Sequence, residues 1–429
     1  MTTTLEAPAA TPRQSSSTGA ELNAAIMPKL TPQNSDRLAM GLLVIQPSPF
    51  CNINCDYCYL PNRTDTRRMD HEVLERVMDK VWYSGLAVGP FSLLWHAGEP
   101  LAVPIKWYEK AFEIINRHPD AKDWVIHSVQ TNGTLITDKW CEFLKKHNVE
   151  VGISIDGPEF IHDHHRKTRK GEGTLEKAMR GLETLKKNDV PFGVVSVISD
   201  ISVDHPDEMY EFYREHGVTG LGFNIEEVEG ANETSSLGES GGLDRIHAFL
   251  KQFYLRNKAD GFPLNVREFQ NAERNILEPG WCSRPDGDYY NQEADPFGMV
   301  NVDCFGNFSS FSPELLGQPT QKYGSFSFGS LLTGSLFDAT ENEAFQNVLA
   351  DIEAGNKKCA ETCQFSQYCG GASPSNKYYE NGTFDSTETH QCRSTVQIPM
   401  EIILDDLEDD LGITDKESPL IEIPQLKEI

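Results

Sequence analysis

The stretch Cys51-Asn52-Ile53-Asn54-Cys55-Asp56-Tyr57-Cys58 decides how the chain is read. Its three cysteines fall at i, i+4 and i+7. Zinc sites ordinarily take four ligands, as two CxxC pairs or as cysteines with histidines. Three thiolates on one short loop suit instead a cube of four irons and four sulfides, with one iron left open to a small chelating molecule. A zinc loop or buried free cysteines are the plain alternatives for an isolated CxxxCxxC. The apolar run Leu42-Leu43-Val44-Ile45 before the loop reads as a strand. Pro47, Pro49 and Pro61 argue against a helix around it.

The chain of 429 residues is long enough for one large domain and a smaller one. Lys and Arg number 38 against 65 Asp and Glu, a formal charge of −27. That balance sets the chain against nucleic acid, whose phosphates attract basic surfaces. It fits a soluble enzyme, or one whose partner carries positive charge. No apolar run approaches a membrane span, and no charged-then-apolar signal opens the sequence. Ten cysteines without an export signal point to a reducing compartment. The expected location is cytoplasmic.

Residues 1–37 are rich in Ala, Thr, Ser and Pro and are expected to be disordered; recognition of a leader peptide is the functional alternative. From 38 to 259 strand and helix patterns alternate about six times. Strands are expected at Met40–Gln46, Phe91–Trp95, Trp124–Gln130, Glu150–Ile155, Phe192–Ile198 and Leu221–Ile225. Helices are expected at His71–Tyr83, Ile105–Arg117, Asp138–His147, Thr174–Lys187, Pro206–His216 and Leu243–Lys258. Repeated βα units predict a parallel sheet with right-handed crossovers, here a partial TIM-like (βα)6 barrel. Barrel sites lie at the C-terminal strand ends.

The residues that stand out lie at those ends. After the second strand comes His96-Ala97-Gly98-Glu99-Pro100, where Gly98 permits close backbone approach and Glu99 offers an acceptor. Alone it reads as a turn into a helix. After the third strand comes Gln130-Thr131-Asn132-Gly133, an ordinary turn signal. After the fourth comes Ser154-Ile155-Asp156-Gly157-Pro158, in which Asp156 suits a turn or cap. Then follow His162, Asp163, His164, His165 and Arg166, dense enough to raise a metal site. Carboxylates at strand ends are not arranged to complete one. Glu226, Glu227 and Glu229 read as a solvated or cap face, with gripping a basic peptide as the alternative. Asn232–Gly242 reads as a linker or mobile loop.

Taken in order, these motifs resemble the radical S-adenosylmethionine (SAM) enzymes. The resemblance implies that Cys51, Cys55 and Cys58 hold a [4Fe–4S] cluster whose open iron chelates SAM. One electron then cleaves SAM to a 5′-deoxyadenosyl radical, which takes a hydrogen from substrate. Tyr57 would lie near the adenine. Gly98 and Glu99 stand in a GGEP-like motif that receives the SAM ammonium, with Ala97 where the family has its first Gly. Asn132 would face SAM, Ser154 would reach its carboxylate or ribose, and Arg166 of an HDxxR motif would pair with the carboxylate in a geometry that lysine could not copy.

A second set, Cys359, Cys363, Cys369 and Cys392, has enough thiolates for either a [4Fe–4S] cluster or zinc. Following a radical SAM core, residues 260–400 resemble a SPASM extension. They imply one auxiliary [4Fe–4S] cluster on these four cysteines. The full extension has seven cysteines, and Ser373 stands where one of them is usual. Cys282 and Cys304 are a degraded second site, ligands with other help, or core residues; Cys141 reads as core. The segments Val302–Gly317 and Gly370–Gly382 are similar to those of peptide maturases of glycine-rich-repeat systems (GrrM-type), among the enzymes that form three-residue cyclophanes. Residues 401–429 form an acidic tail, with Leu404, Leu407 and Leu411 at helical spacing. A short helix with a charged face is the plain reading, and a clamp for a basic leader is the other.

The expected fold is therefore α/β, a partial radical SAM barrel with a C-terminal SPASM-like auxiliary-cluster domain. The expected activity is a radical SAM peptide cyclase. It would install an aryl-to-β-carbon crosslink in a ribosomally made precursor, with Asp303 as candidate base and an external electron donor such as flavodoxin or ferredoxin. The alternatives are an anaerobic sulfatase maturase making formylglycine, a thioether-forming maturase, and a non-catalytic metal-containing protein for peptide binding or electron transfer.

Overall fold

Six apolar runs pair side by side in chain order. They are β1 (Leu42–Ile45), β2 (Phe91–Trp95), β3 (Val125–Thr131), β4 (Glu150–Ser154), β5 (Phe192–Ile198) and β6 (Gly220–Ile225), all parallel. The computed structural model describes residues 39–238, 241–278 and 291–413. Leu43, Ile45, Leu93, Ile153 and Ile198 are fully buried in the sheet, as side chains covered on both faces must be. Helices His71–Trp82, Ile105–Ile115, Asp138–Lys146, Leu175–Lys187, Pro206–Glu215 and Gly242–Ala259 follow the strands in turn. Each buries one apolar stripe; the first uses Leu74, Val77, Met78 and Val81. Their starts have local causes. Thr137 Oγ1 accepts from Trp140 N at 3.3 Å, and Pro206 occupies a first turn where a missing N–H goes unused.

The sheet does not end at the expected domain boundary of 259/260. The short β7 (Asn265–Val266) adds to β6 in parallel. At the other edge β8 (Met299–Val302) pairs in parallel with β1, and β9 (Asn307–Ser310) runs antiparallel to β8. A separate hairpin, β10 (Pro319–Thr320) with β11 (Gly324–Ser325), intervenes before β12 (Gly329–Ser330) pairs antiparallel with β9. Among the described residues one ten-stranded sheet therefore runs β12-β9-β8-β1-β2-β3-β4-β5-β6-β7. The first strand gains a neighbour from residues 257 positions away, so the SPASM-like segment is welded to the barrel through backbone hydrogen bonds.

The acidic C-terminal run is a helix, Ile398–Asp410, and it is docked rather than free over its described part. Lys251 pairs with Asp405 at 3.1 Å, and Lys258 pairs with Asp406 at 2.7 Å and Asp410 at 2.9 Å. Tyr254 donates to Asp406 at 2.7 Å, and Ile402 and Ile403 are buried. Residues 1–37 and the end from Ser418 lie outside the described residues. Among those described, no helix is long and apolar enough to cross a membrane.

Candidate functional site

The loop of three cysteines leaves the C-terminal end of β1 and is pinned by backbone contacts from elsewhere. Cys51 N donates to Arg63 O at 3.1 Å, and Asn54 N donates to Lys167 O at 2.7 Å. Arg63 Nη1 donates to Cys55 O at 2.7 Å, and Arg169 Nη2 to Cys51 O at 2.8 Å. Asn132, at the end of β3, turns its amide to this loop: Nδ2 donates to Asn52 Oδ1 at 2.9 Å and lies 3.8 Å from Cys51 Sγ. Burial raises the Cys51 thiol to about 11 and the Cys55 thiol to about 12. Such thiols keep their protons unless a metal displaces them. Three thiols on a short loop, with an amide donor beside one of them, fit a cluster with one open iron.

The strand ends are tied to one another by buried carboxylates. Glu99 Oε1 accepts from Leu101 N at 2.9 Å and Thr131 Oγ1 at 2.7 Å, and its Oε2 accepts from Asn132 N at 2.8 Å. Burial holds its carboxyl above the ordinary value despite these donors. Gly98 sits at φ +77°, and a Cβ there would stand 2.5 Å from Ser48 O and 2.7 Å from Phe50 O. Ala97, where the family has Gly, is itself at φ +65°. Ser154 Oγ accepts from Gln130 Nε2 at 2.9 Å, linking β4 to β3.

Asp156 is more than a turn residue. It is 1 % exposed, and its Oδ1 accepts from Val197 N at 3.0 Å. Its Oδ2 accepts from Arg166 Nε at 2.8 Å and from the Tyr57 hydroxyl. Burial works to raise this carboxyl, but Arg166 and His162 prevail and hold it below the usual range. Tyr57 and Arg166 are thus brought together around Asp156. The histidines beside them hold structure. His162 Nδ1 accepts from Asp156 N at 3.2 Å, and His165 bridges Asp56 Oδ1 at 2.8 Å and Ser199 Oγ at 2.9 Å.

The second cysteine set also comes together. Helix Glu343–Thr362 carries Cys359 in its last turn and ends at Cys363; Cys369 closes a short turn, Ser366–Cys369; Cys392 sits in a turn capped by Thr389. All four line one cavity of about 370 Å³. Among the described residues, no three His, Cys, Asp or Glu side chains gather about a single ion-sized point. Asn291 Nδ2 braces the Cys369 loop through the carbonyls of Cys369 at 3.2 Å, Gly370 at 3.3 Å and Ala372 at 2.8 Å. Burial raises Cys363, Cys369 and Cys392, the last to about 12. Cys304 and Cys141 are buried in the apolar core instead. Cys282 lies outside the described residues.

One expectation needs correction. Glu226 and Glu229 do not form a solvated face: they are 8 % and 7 % exposed. Glu229 Oε1 accepts from Ser375 Oγ at 2.8 Å, and Glu227 Oε2 accepts from Asn376 Nδ2 at 3.1 Å, so this loop is clamped against the SPASM-like segment. On the other side Ala231 N donates to Tyr59 O at 2.8 Å, one residue beyond Cys58. Burial first, and then repulsion among Glu227, Glu229, Glu293 and Glu314, raise three of these carboxyls: Glu227 to about 7, Glu314 to about 8, and Glu229 well above the usual value. The loop after Asn232 is packed over its described part, with Leu237 1 % exposed and Ser236 bonded to Glu226.

Asp303 anchors the β8–β9 turn. Its Oδ1 accepts from Phe305 N at 2.8 Å and Asn307 N at 2.9 Å, and its Oδ2 from Asn307 Nδ2 at 2.8 Å. Burial raises its carboxyl against these bonds. Glu227 and Glu229 stand out in the sequence as an acidic group, whereas Glu314 falls only within the segment Val302–Gly317.

Comparison with known proteins agrees with this geometry. The Radical SAM superfamily pattern matches residues 45–215. The Uncharacterized protein sll1766 of Synechocystis sp. is 42% identical over 377 residues, 87% of this chain and 93% of its own length. A serine-type anaerobic sulfatase-maturating enzyme of Bacteroides thetaiotaomicron is 34% identical over 171 residues, but the match spans 38% of this chain and only 41% of that enzyme. The structure of native anSMEcpe with bound AdoMet and Cp18Cys peptide superimposes with a TM-score of 0.69 at 22% identity, covering 86% of this chain and 98% of that one. That likeness establishes the fold. With the thiol loop at the end of β1 and the linked strand ends around it, this chain belongs to the radical SAM superfamily.

Proposed function

We propose that this chain is a radical SAM peptide maturase that joins an aromatic ring to the β-carbon of an aliphatic residue two positions further on, in a ribosomally made precursor. The reading rests on one observation. Four thiols share a cavity, and buried carboxylates lie between the loop beside that cavity and the residue after Cys58. A ring closure of this kind removes two hydrogens in all. One leaves the β-carbon as an atom. The other leaves the ring as a proton together with one electron, so the pocket must offer an acceptor for each.

A cluster on Cys51, Cys55 and Cys58 with bound SAM would supply hydrogen-atom abstraction through a 5′-deoxyadenosyl radical, and an auxiliary [4Fe–4S] cluster on Cys359, Cys363, Cys369 and Cys392 would supply one-electron chemistry. The chain's own side chains do the rest. Gly98, Glu99, Asn132, Ser154, Tyr57 and Arg166 form the strand-end surface that would hold SAM. Glu227 and Glu314, near neutrality, suit a proton acceptor. Asp303, whose oxygens already hold a turn, suits it less. An external donor such as flavodoxin or ferredoxin would feed the electron, in the cytoplasm.

A second reading, formylglycine formation on a sulfatase, is favoured by the match to a sulfatase-maturating enzyme. Ser373, in a place where the full extension has a cysteine, weighs against it. Tandem mass spectrometry separates the two. The protein is co-expressed under low oxygen with a small peptide encoded beside it. Loss of two hydrogens, with fragmentation suppressed across a segment that begins at an aromatic residue, is expected. Loss confined to a Cys or Ser, with an aldehyde that traps hydrazine, would establish the maturase instead.

A further inference from the structure

We propose that Gln397 is a positioning residue for the auxiliary centre, donating to the Cys392 sulfur and raising the centre's reduction potential. This rests on the reading that Cys359, Cys363, Cys369 and Cys392 hold a [4Fe–4S] cluster. Residues Arg393–Gln397 form a π turn, in which Ile398 N donates to Arg393 O, five residues back. In an α-helix the side chain five positions after Cys392 would stand about 140° around the axis. A π turn instead returns to the same face after five residues. It carries Gln397 over the thiol, with Nε2 3.9 Å from Cys392 Sγ.

The amide is held with its nitrogen toward the sulfur. Gln397 Nε2 also donates to Glu388 Oε1 at 3.0 Å, and a carboxylate can only accept. Arg393 Nε pairs with the same oxygen at 3.0 Å, fixing Glu388 in place. Gln397 is 5 % exposed, so the contact is shielded from water. Cys392 Sγ receives a second donor, Thr389 N, at 3.3 Å. Both Cys392 and Gln397 line the 370 Å³ cavity. A reduced cluster carries one more negative charge than an oxidised one, so N–H donors to its sulfurs favour the reduced form.

The test uses full-length protein with Cys51, Cys55 and Cys58 all replaced by Ala, so that any remaining cluster is the auxiliary one. It is reconstituted anaerobically with iron and sulfide, its iron is counted, and its potential is titrated by electron paramagnetic resonance. Gln397→Leu and Gln397→Met, which fill the space without a donor, are expected to keep the parent's iron and to move the midpoint to more negative values. Full iron with an unmoved midpoint in both variants overturns the proposal. Loss of iron in both also overturns it, because the residue would then hold the fold rather than tune the centre. A parent that binds no iron overturns the auxiliary-cluster reading itself, before Gln397 is touched, and this proposal with it.

Discussion

The two thiol sites are built on opposite plans. Cys51, Cys55 and Cys58 are neighbours in sequence, and the fold's task is to clamp one loop at the end of β1. Cys359 and Cys363 sit at the end of one helix, Cys369 closes the short turn after it, and Cys392 joins them from a separate turn capped by Thr389. The first site carries its ligand spacing in the chain. The second has three of its four thiols close in the chain and needs packing to bring in Cys392. Each has an amide near one sulfur, Asn132 at 3.8 Å from Cys51 and Gln397 at 3.9 Å from Cys392, yet Asn132 comes from a strand end and Gln397 from a π turn.

The sharpest way to break this comparison is to remove one thiol from each site. Cys55→Ala is expected to abolish SAM cleavage, measured as 5′-deoxyadenosine after chemical reduction under anaerobic conditions. Cys392→Ala is expected to retain cleavage while losing the peptide crosslink. Loss of cleavage in both variants would mean that the sites do not work independently.

The first site also leans on a buried ion pair, where the second has the more exposed pair Arg393–Glu388. Asp156 and the Arg166 side chain are 1 % and 9 % exposed. Asp156→Asn leaves Arg166 unpaired, and urea unfolding is expected to lose about 3–5 kcal/mol. A loss below about 1 kcal/mol would show that the pair is open to water.

The carboxylates between the sites give a pH signature. Glu227 and Glu314 have folded values near 7 and 8, above the usual unfolded value of about 4.3. Between those limits the folded state binds more protons than the unfolded one, so stability falls as pH rises. The melting temperature of cluster-free protein is expected to drop as pH rises from about 5 to 8. Glu314→Gln should flatten that slope; an unchanged slope would place the titration elsewhere.

The smallest effect probes the turn after β2. Ala97 is held at φ +65°, which costs a residue with a Cβ about 1–2 kcal/mol, while glycine loses about 0.5–1 kcal/mol in chain entropy. Ala97→Gly is expected to stabilise the protein by about 0.5 kcal/mol, seen as a small rise in the denaturation midpoint. Destabilisation would mean that the Ala97 methyl makes a packing contact worth more than its strain.

The strands and helices of residues 38–259 were legible because each buries a periodic apolar face, and burial follows pattern. β2 and β5 have the expected bounds, and other ends shift by a residue or two. The weld of β8, β9 and β12 to β1 was not legible. Asn307-Phe308-Ser309-Ser310 is short and polar, and the pairing of β8 with β1 joins residues far apart in the chain. The acidic loop was misread for a related reason. Glu226 and Glu229 look like solvated charges until Ser236 and Ser375 close over them.

By itself the sequence determined the βα order, the thiol loop, the strand-end turns and the number of thiols available to the second site. These depend on local spacing and on residues that admit only a few backbone conformations. Only the tertiary structure decided how Cys392 reaches the cavity of Cys359, Cys363 and Cys369, that Asp156 joins Tyr57 to Arg166, and that Glu226 and Glu229 are buried. Those outcomes depend on which surfaces meet. Desolvation and charge repulsion act across that contact, and no local pattern records it.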